Sequence, residues 1–188
     1  MKIAIAGAGK LGMKVAEALL GGDHSVTVID KDEEILAKLS SQMDIMTVNA
    51  NAKQKSVLED INISSYDYLL ATTDKDEKNI IIASIAKKLG CPMVIARVRG
   101  PEHMNQFDFI KDSFHIDSIV NPDLAISLEI YKYLVEKYTL SNGIFTSGKI
   151  AIIEMAAYKM PSLIGVQMIN MNRHLKNMLV IGISRNGK

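Results

Sequence analysis

Three glycines near the start of the sequence have a spacing that suits the binding of a phosphate group. They are Gly7, Gly9 and Gly12, and they lie between the apolar run Lys2–Ala6 and a helical pattern that begins at Lys10. In a strand–turn–helix unit, the first glycine permits a tight turn, the second lets a pyrophosphate approach the backbone, and the third lets the helix pack closely on the strand. The N–H groups and the positive dipole end of the helix attract the phosphate charge. The hexapeptide concerned is Gly7-Ala8-Gly9-Lys10-Leu11-Gly12.

An acidic residue completes this pattern. Asp30 ends the apolar run "VTVID" and lies 18 residues beyond Gly12. This matches the offset of about 20 residues at which an acid accepts hydrogen bonds from the hydroxyl groups of an adenosine ribose. A carboxylate there would repel a 2′-phosphate, so NAD(H) or an adenine nucleotide is favoured over NADP(H). Asp30 is also a candidate N-cap of the next helix, and the two roles are compatible.

Polar residues follow three further apolar runs. Because a doubly wound sheet binds its ligand beyond the carboxyl ends of the strands, these residues are candidates for the same site. They are Asn51 and Ala52 after the third run, Thr73 and Asp74 after the fourth, and Arg97 after the fifth. The Arg97 guanidinium suits bidentate contact with phosphate, and the alternative is a salt bridge at a domain or subunit contact.

The elements that position these residues alternate along the chain. Short β-branched runs predict strands at Lys2–Ala6, Ser25–Ile29, Ile45–Val48, Asp67–Ala71, Met93–Ala96 and Ser118–Val120. Between them, helices are predicted at Lys10–Leu20, Lys31–Leu39, Lys53–Leu58, Asp74–Leu89 and Pro101–Ile110. Alternating strands and helices indicate right-handed crossovers and a parallel sheet covered on both faces. The predicted fold class is therefore α/β, with a Rossmann-like, doubly wound parallel sheet.

The pattern changes at Asn121. The tripeptide Asn121-Pro122-Asp123 supplies an N-cap, a proline at the first helical position and an acid in the first turn, which predicts a helix to about Tyr138. After the break at Ser141-Asn142-Gly143 we predict a strand within Lys149–Tyr158, a short helix near Leu163–Asn170 and a strand at Met178–Ser184. The hairpin-type turn Asn186-Gly187 is followed only by Lys188, which indicates a piece of a longer protein.

Composition excludes several classes of function. The 188 residues include 22 Lys and Arg against 21 Asp and Glu, and this balance argues against a nucleic-acid binder. No apolar segment approaches the roughly 18 residues needed to cross a bilayer, so a membrane role requires a partner. The four histidines form no recognisable pair with a carboxylate, and there is no P-loop motif. The sequence thus offers a nucleotide site without evident machinery for hydride transfer.

Five segments together resemble the TrkA family of potassium-uptake regulatory proteins. They are "MKIAIAGAGKLG", Asp30, "YLLATTDKDEKN", "IARVRGPEH" and "IDSIVNPDLAI". The resemblance implies RCK (also called KTN) domains that form a cytosolic gating ring beneath a membrane potassium channel or transporter. It implies a non-enzymatic regulatory subunit that responds to NAD(H) or ATP/ADP, located in the cytoplasm and peripheral to the inner face of the plasma membrane.

The same resemblance assigns roles to the candidate residues. Residues 7–11 would cradle the phosphates and Asp30 would hold the ribose. The rest of the pocket would consist of Asn51, Ala52, Thr73, Asp74 and Arg97. Relatives often have a glycine and an acid in the loop after the third strand, where this chain has "NANA", so the contacts at the adenine end differ.

The resemblance also implies a domain organisation. Residues 1–121 would form the nucleotide-binding lobe (RCK_N), residues 122–140 a crossover helix that swaps between subunits, and residues 141–188 a truncated α+β C-terminal lobe (RCK_C). The helix predicted at Asp74–Leu89 is unusually apolar around its circumference, which fits either a well-packed helix or a helix with a second partner beyond the sheet. The resemblance implies that this partner is an adjacent subunit. The expected assembly is a homo-oligomer in which dimers build a ring.

Two other classes of function compete with this interpretation. One is a small NAD-dependent oxidoreductase, or the coenzyme-binding fragment of one. The other is a redox-sensing Rossmann repressor, which is less favoured because the sequence has no winged-helix pattern and no basic recognition helix.

Overall fold

The computed structural model describes residues 1–100, 103, 106–135, 141–144, 151–154, 156–171, 174–175 and 180–184. The chain divides into two compact units, Met1–Ser127 and Leu128–Lys188.

The first unit is built on a six-stranded parallel sheet. Its strands are β1 (Lys2–Ala6), β2 (Ser25–Asp30), β3 (Met46–Asn49), β4 (Tyr68–Ala71), β5 (Met93–Arg97) and β6 (Ser118–Val120). The spatial order is β3-β2-β1-β4-β5-β6, so the direction of winding reverses between β1 and β4. This topology confirms the predicted Rossmann-like fold and places the ligand-binding crevice of such sheets beside β1 and β4.

Among the described residues, five helices lie in the first unit and a sixth begins in it and continues into the second. They are α1 (Lys10–Leu19), α2 (Glu33–Gln42), α3 (Lys55–Asp60), α4 (Asp76–Lys88), α5 (Phe107–Phe114) and α6 (Pro122–Val135). The helix predicted at Pro101–Ile110 lies partly outside the described residues. Its described part, α5, runs four residues further than predicted because Ile110 is buried and the helix ends only at His115, which has a left-handed backbone conformation. The predicted extension of α6 to Tyr138 lies outside the described residues.

Both faces of the sheet carry a hydrophobic core, which explains why the strands are almost continuously apolar. On β1, Ile3 and Ile5 pack on the side of α1 and α2, whereas Ala4 and Ala6 pack on the side of α3 and α4. Helix α4 buries one side against the sheet, and Ile81 on its other side is 44% exposed. The contact predicted between this helix and another subunit stays a prediction.

The second unit contains an antiparallel hairpin of β7 (Ser141–Ile144) and β8 (Ala151–Glu154). Two short 3-10 turns follow at Ala157–Lys159 and Pro161–Leu163, and then α7 at Met168–Met171. β8 confirms the strand predicted within Lys149–Tyr158, and α7 overlaps the end of the predicted short helix.

One strand of the second unit was not predicted, and one predicted strand was wrong. The segment 141–144 was predicted only as a break, but it pairs as a strand with β8. Residues 180–184, within the predicted strand Met178–Ser184, are not a strand. Among the described residues no strand pairs with them, and Ile181 and Ile183 stay exposed, so neither hydrogen bonding nor burial supports an extended ladder there.

Candidate nucleotide-binding site

The backbone geometry of the turn between β1 and α1 itself requires two of the three glycines. Gly7 has a φ of +110°, and its N–H donates to the Ile29 carbonyl at 2.8 Å. A Cβ added to Gly7 would lie 2.8 Å from the Thr73 nitrogen, and one added to Gly12 would lie 2.0 Å from the Gly7 carbonyl oxygen. Gly7 therefore permits the turn, and Gly12 permits the close approach of α1 to it.

Gly9 differs from the other two. It is the N-cap of α1 with a φ of −69°, and nothing lies within 4 Å of a Cβ built on it. The first turn of α1 has neither a capping side chain nor an acidic residue. The fold itself thus gives no reason for a glycine here, but the residue borders the crevice and leaves room above the N-terminus of α1. That room suits an anion, because the free N–H groups and the helix dipole favour negative charge.

The crevice is a cleft of about 310 Å³ at the carboxyl ends of β1 to β5. Its lining is drawn from the loops that follow β1, β2, β3 and β4, from the ends of β2 and β5, and from the first two turns of α4 and the first turn of α2. The lining residues are Gly7, Gly9, Ile29, Asp30, Lys31, Asp32, Ile35, Ala50, Asn51, Ala52, Lys53, Thr72, Thr73, Asp74, Lys78, Ile82 and Arg97. Four basic and three acidic side chains share this lining, which leaves it weakly positive.

The structure brings most of the sequence-predicted residues together in this cleft. Those that line it are Gly7, Gly9, Asp30, Asn51, Ala52, Thr73, Asp74 and Arg97. Those that do not are Ala8, Lys10, Leu11 and Gly12. Ala8 and Gly12 are buried beneath the turn, and Lys10 is exposed at the beginning of α1.

Asp30 connects the end of β2 to the glycine turn. Its Oδ2 accepts a hydrogen bond from the Ala8 N–H at 2.6 Å, and its Oδ1 accepts one from the Asp32 N–H at 3.0 Å. The N-cap of α2 is Asp32, whose Oδ1 accepts from the Ile35 N–H at 3.1 Å. The interpretation of Asp30 as that N-cap was therefore wrong, because the helix begins two residues later.

Arg97 lies at the opposite side of the cleft, at the end of β5. Its Nη2 donates to the Thr73 carbonyl oxygen, while its Nε is buried and has no hydrogen-bond partner among the described residues. Burial, and next the nearby Arg99, lowers the pKa of the Arg97 guanidinium, which still remains charged at neutral pH. No carboxylate in the described part of the chain forms an ion pair with it.

Asn79 links the loop at Thr73, which follows β4, to the end of β5 at Arg97. It was not among the residues predicted from the sequence. Its side chain is fully buried. Its Oδ1 accepts from the Thr73 N–H and hydroxyl, both at 2.7 Å, and its Nδ2 donates to the carbonyls of Thr73 at 3.3 Å and Arg97 at 2.9 Å. An amide in the run "KNIIIASIA" of a buried helix was the available signal, since a buried amide needs internal partners.

Lys78 was also missed. It lies in α4, and its Nζ contacts Asp74 Oδ1 at 2.7 Å. This hydrogen bond is the main cause that lowers the pKa of the Asp74 carboxyl. The i, i+4 spacing of the two residues was the signal that could have found the pair.

The described residues contain neither a cluster suited to a metal ion nor a helix suited to span a membrane. In the ranges that the structure describes, no group of three or more histidine, cysteine, aspartate or glutamate side chains is arranged to hold a metal ion. No helix in the same ranges has the length and apolar character needed to span a membrane.

The part of the chain that forms the cleft matches a known protein family. The sequence pattern of the TrkA-N domain matches residues 3–122, from β1 to the first residue of α6. The chain belongs to the TrkA-N family. The resemblance drawn from the motifs is thereby confirmed, and the TrkA-N region contains every residue that lines the cleft.

Curated relatives of this TrkA-N chain are named for potassium uptake. The chain is 28% identical over 193 residues to the Trk system potassium uptake protein TrkA of Haemophilus influenzae, a match that covers 100% of this chain and 42% of that protein. It is 29% identical over 187 residues to a TrkA homolog of Archaeoglobus fulgidus, with the same coverages. The chain thus spans about two fifths of the length of these two curated relatives.

Solved structures share the TrkA-N fold. The TrkA-N domain of the inner membrane protein ybaL from Escherichia coli matches with a TM-score of 0.62 and 18% identity, covering 71% of this chain and 96% of that one. The GsuK channel bound to NAD matches with a TM-score of 0.60 and 17% identity, covering 78% and 26%. The Shewanella denitrificans Kef CTD in its AMP-bound form matches at 0.57 and 20%, covering 73% and 82%. At these identities the likeness shows the fold.

Proposed function

We propose that this protein is a nucleotide-binding regulatory subunit that controls a membrane potassium channel or transporter of the Trk type in response to NAD(H) or ATP/ADP. The observation that carries the proposal is the open N-terminus of α1 at Gly9, which shares one cleft with the Asp30 carboxylate at the switch point of the sheet. An anion acceptor and a ribose acceptor at this position suit a nucleotide. The TrkA and GsuK names among the relatives support the regulatory part.

Each group of cleft residues would contact a different part of the proposed ligand. The glycine turn would hold phosphate through backbone N–H groups, and Asp30 would accept the ribose hydroxyls. Asn51 and Ala52 would border the base, while Thr73, Asp74 and Arg97 would border the far end. The predicted residues that do not line the cleft would determine the shape of the glycine turn. They are Ala8, Lys10, Leu11 and Gly12.

Regulation requires that the ligand bind two shapes of the protein with different affinity, because a ligand shifts an equilibrium only by that difference. The hydrogen bonds of Asn79 tie the cleft loop at Thr73 to α4. A ligand that displaces this loop would therefore act on α4, whose Ile81 is exposed for contact with a second copy. A tenfold preference for one shape is about 1.4 kcal/mol, which suffices to bias a channel.

The proposed organisation follows the family. Residues 1–121 would be the nucleotide-binding lobe, residues 122–140 the crossover helix, and residues 141–188 part of the C-terminal lobe. The protein would form a dimer within a ring, at the cytoplasmic face of its transporter partner, and would bind no nucleic acid. Helix α6 supports self-association because Ile126, Ile130 and Tyr131 are each more than half exposed.

An oxidoreductase is the weaker alternative. Hydride transfer needs an acid or base beside the nicotinamide. Among the described residues no histidine, tyrosine or cysteine lines the cleft, and the acid and base that follow β4, Asp74 and Lys78, are paired with each other. The curated relatives are named for potassium uptake and not for a reaction.

Potassium flux tests the proposal. Lipid vesicles that contain the transporter partner would be measured with the wild-type protein, with Asp30→Ala and with the control Asp44→Ala, an exposed carboxylate outside the cleft. We expect ADP, ATP, NAD⁺ or NADH to change the flux with the wild type and the control but not with Asp30→Ala. A flux that no nucleotide alters, or steady oxidation of NADH with a small carbonyl substrate, would overturn the proposal.

A further inference from the structure

A buried hydroxyl group connects the end of β4 to the glycine turn. Thr72 comes directly after β4, is 2% exposed and is among the residues that line the cleft. Its Oγ1 lies within hydrogen-bond distance of two carbonyl oxygens, that of Gly7 at 3.1 Å and that of Ala6 at 3.3 Å. The Ala6 carbonyl already accepts the Thr72 N–H at 2.7 Å. The hydroxyl therefore adds a contact at Gly7 that the Thr72 backbone does not provide.

The Gly7–Ala8 peptide group is thereby held at both of its polar ends. Its carbonyl oxygen accepts from the Thr72 hydroxyl, and its N–H donates to Asp30 Oδ2 at 2.6 Å. Because a peptide group is planar, these two contacts together determine the direction in which it faces. The two side chains come from the ends of β2 and β4, the strands that flank β1 in the sheet.

Gly12 leaves the space in which this contact forms. A Cβ added to Gly12 would lie 2.0 Å from the Gly7 carbonyl oxygen and 2.9 Å from Thr72 Oγ1. A side chain at this position would therefore crowd both the donor and the acceptor. The third glycine of the motif thus serves the hydrogen bond from Thr72 as well as the close approach of α1.

The orientation of the Gly7–Ala8 peptide decides what the turn presents to an anion. Gly7 has a φ of +110° and no side chain, so its backbone can rotate more freely than that of other residues. A reversed peptide would direct the carbonyl oxygen away from Thr72 and toward the Asp30 carboxylate. The partial negative charge of that oxygen would then oppose both the carboxylate and a phosphate at the N-terminus of α1.

We infer that Thr72 is a positioning residue for the nucleotide, because its hydroxyl holds the Gly7–Ala8 peptide in the orientation that accepts a phosphate. This inference rests on the proposed nucleotide site and adds to it a residue that acts through the backbone of the turn. The hydroxyl matters most when a ribose competes for the Asp30 carboxylate, since Thr72 then prevents the reversal of the peptide. Serine can take this role and valine cannot.

Calorimetric titration with ADP and, separately, NAD⁺ tests the inference on the wild-type protein, Thr72→Val, Thr72→Ser and Thr27→Val. Valine keeps the branched shape of threonine without the hydroxyl, whereas serine keeps the hydroxyl. Thr27 is the matched control, since it is 1% exposed, its hydroxyl pairs with Tyr66 Oη at 2.9 Å and it does not line the cleft. We expect Thr72→Val to bind at least tenfold more weakly than the wild type, Thr72→Ser within threefold and Thr27→Val within twofold.

A further pair of variants covers the case in which valine does not fit the space at Thr72. Thr72→Ala and Thr72→Ser differ only in the hydroxyl, so they make the same comparison without the methyl groups of valine. We expect Thr72→Ala to bind at least threefold more weakly than Thr72→Ser. Urea unfolding of every variant ensures that only folded proteins are compared.

The titrations separate two kinds of failure. If the wild type binds a nucleotide but Thr72→Val stays within threefold of it, or Thr72→Ser binds as weakly as Thr72→Val, the positioning role is contradicted and the nucleotide site stands. An equal loss in Thr27→Val would also overturn the inference, because the effect would then belong to any buried hydroxyl of the sheet. If neither nucleotide binds to the wild type, the proposed function and the positioning role fail together.

Discussion

The carboxylate of Asp30 accepts a 2.6 Å hydrogen bond from the backbone N–H of Ala8, so the end of β2 holds the glycine turn that follows β1. The proposed ribose acceptor and the proposed phosphate turn are therefore one connected structure. A ligand that draws the carboxylate toward its ribose acts directly on the turn. We expect this link to make the cleft sensitive to whether its proposed ribose position is filled.

Replacement of Asp30 by alanine should weaken nucleotide binding. We expect a loss of roughly 1.5–3 kcal/mol, the range for hydrogen bonds to a charged group. The variant should also lose roughly 1 kcal/mol of stability because the Ala8 N–H loses its acceptor. Calorimetry and urea unfolding measure the two effects, with Asp44→Ala as control. Unchanged affinity in a folded Asp30→Ala protein would contradict the ribose assignment.

Substitutions at Gly12 and Gly9 should separate effects on stability from effects on nucleotide binding. Gly12→Ala places a Cβ 2.0 Å from the Gly7 carbonyl oxygen, and such overpacking costs about 1–3 kcal/mol or more. Gly9→Ala meets nothing within 4 Å, so it should cost less than about 1 kcal/mol, the scale of an N-cap preference. It should nevertheless weaken nucleotide binding at least tenfold. Urea unfolding beside calorimetry checks this, and a Gly9→Ala protein that binds normally argues against phosphate above α1.

Asn79→Ala should destabilise the first unit. The change leaves the Thr73 N–H and the Arg97 carbonyl without their partner in a buried place. Each unsatisfied buried group costs roughly 1–3 kcal/mol. Lys88→Ala on the same helix provides the control in urea unfolding. Equal stability of the two variants would mean that Asn79 does not hold the cleft loop.

The pH response of Asp74 follows from its hydrogen bond with Lys78. This contact lowers the pKa of the Asp74 carboxyl below its ordinary value of 3.8. A lowered pKa in the folded state stabilises the protein above the ordinary value, and this contribution disappears as the pH falls through the lowered pKa. An NMR titration of the carboxyl carbon should show the lowered midpoint in the wild type and a higher one in Lys78→Met. Identical midpoints would contradict the pairing.

Helix α6 should mediate self-association. Ile126 is 59% exposed and Ile130 is 54% exposed, one helical turn apart. We expect light scattering to give a dimer or larger species for the wild type at micromolar concentration, and a smaller species for the double variant Ile126→Asp/Ile130→Asp. A clean wild-type monomer at that concentration speaks against an α6 interface.

The sheet could be predicted from the sequence because its strands are short β-branched runs between helical patterns. All six appear in the structure with limits that differ by two residues at most. The strands of the second unit were harder to predict from the sequence. The strand at 141–144 contains Asn142 and Gly143, which favour turns, and only its pairing with β8 makes it extended. Ile181 and Ile183 have the alternation typical of a strand, but in the structure neither is buried.

The cleft residues at or just after the end of a strand could be predicted from the sequence. Asp30, Thr73 and Arg97 were found because parallel strands end at one edge of a sheet. Asn79 and Lys78 were missed because they lie within α4, and sequence position alone does not say which side of a helix faces a loop. The role of Asp30 as an acceptor for the Ala8 N–H also depends on tertiary contact across 22 residues.

The most direct test of the central claim, that the protein binds a nucleotide in this cleft and does not consume it, is equilibrium dialysis with recovery of the ligand. Wild-type protein and Gly9→Val would be dialysed against ADP and, separately, NADH, and the nucleotide would be recovered and analysed by chromatography. We predict saturable binding of one nucleotide per chain by the wild type, loss of binding in a folded Gly9→Val protein, and recovery of the nucleotide unaltered. Binding that persists in Gly9→Val, or a recovered nucleotide that has been hydrolysed or oxidised, would contradict the account.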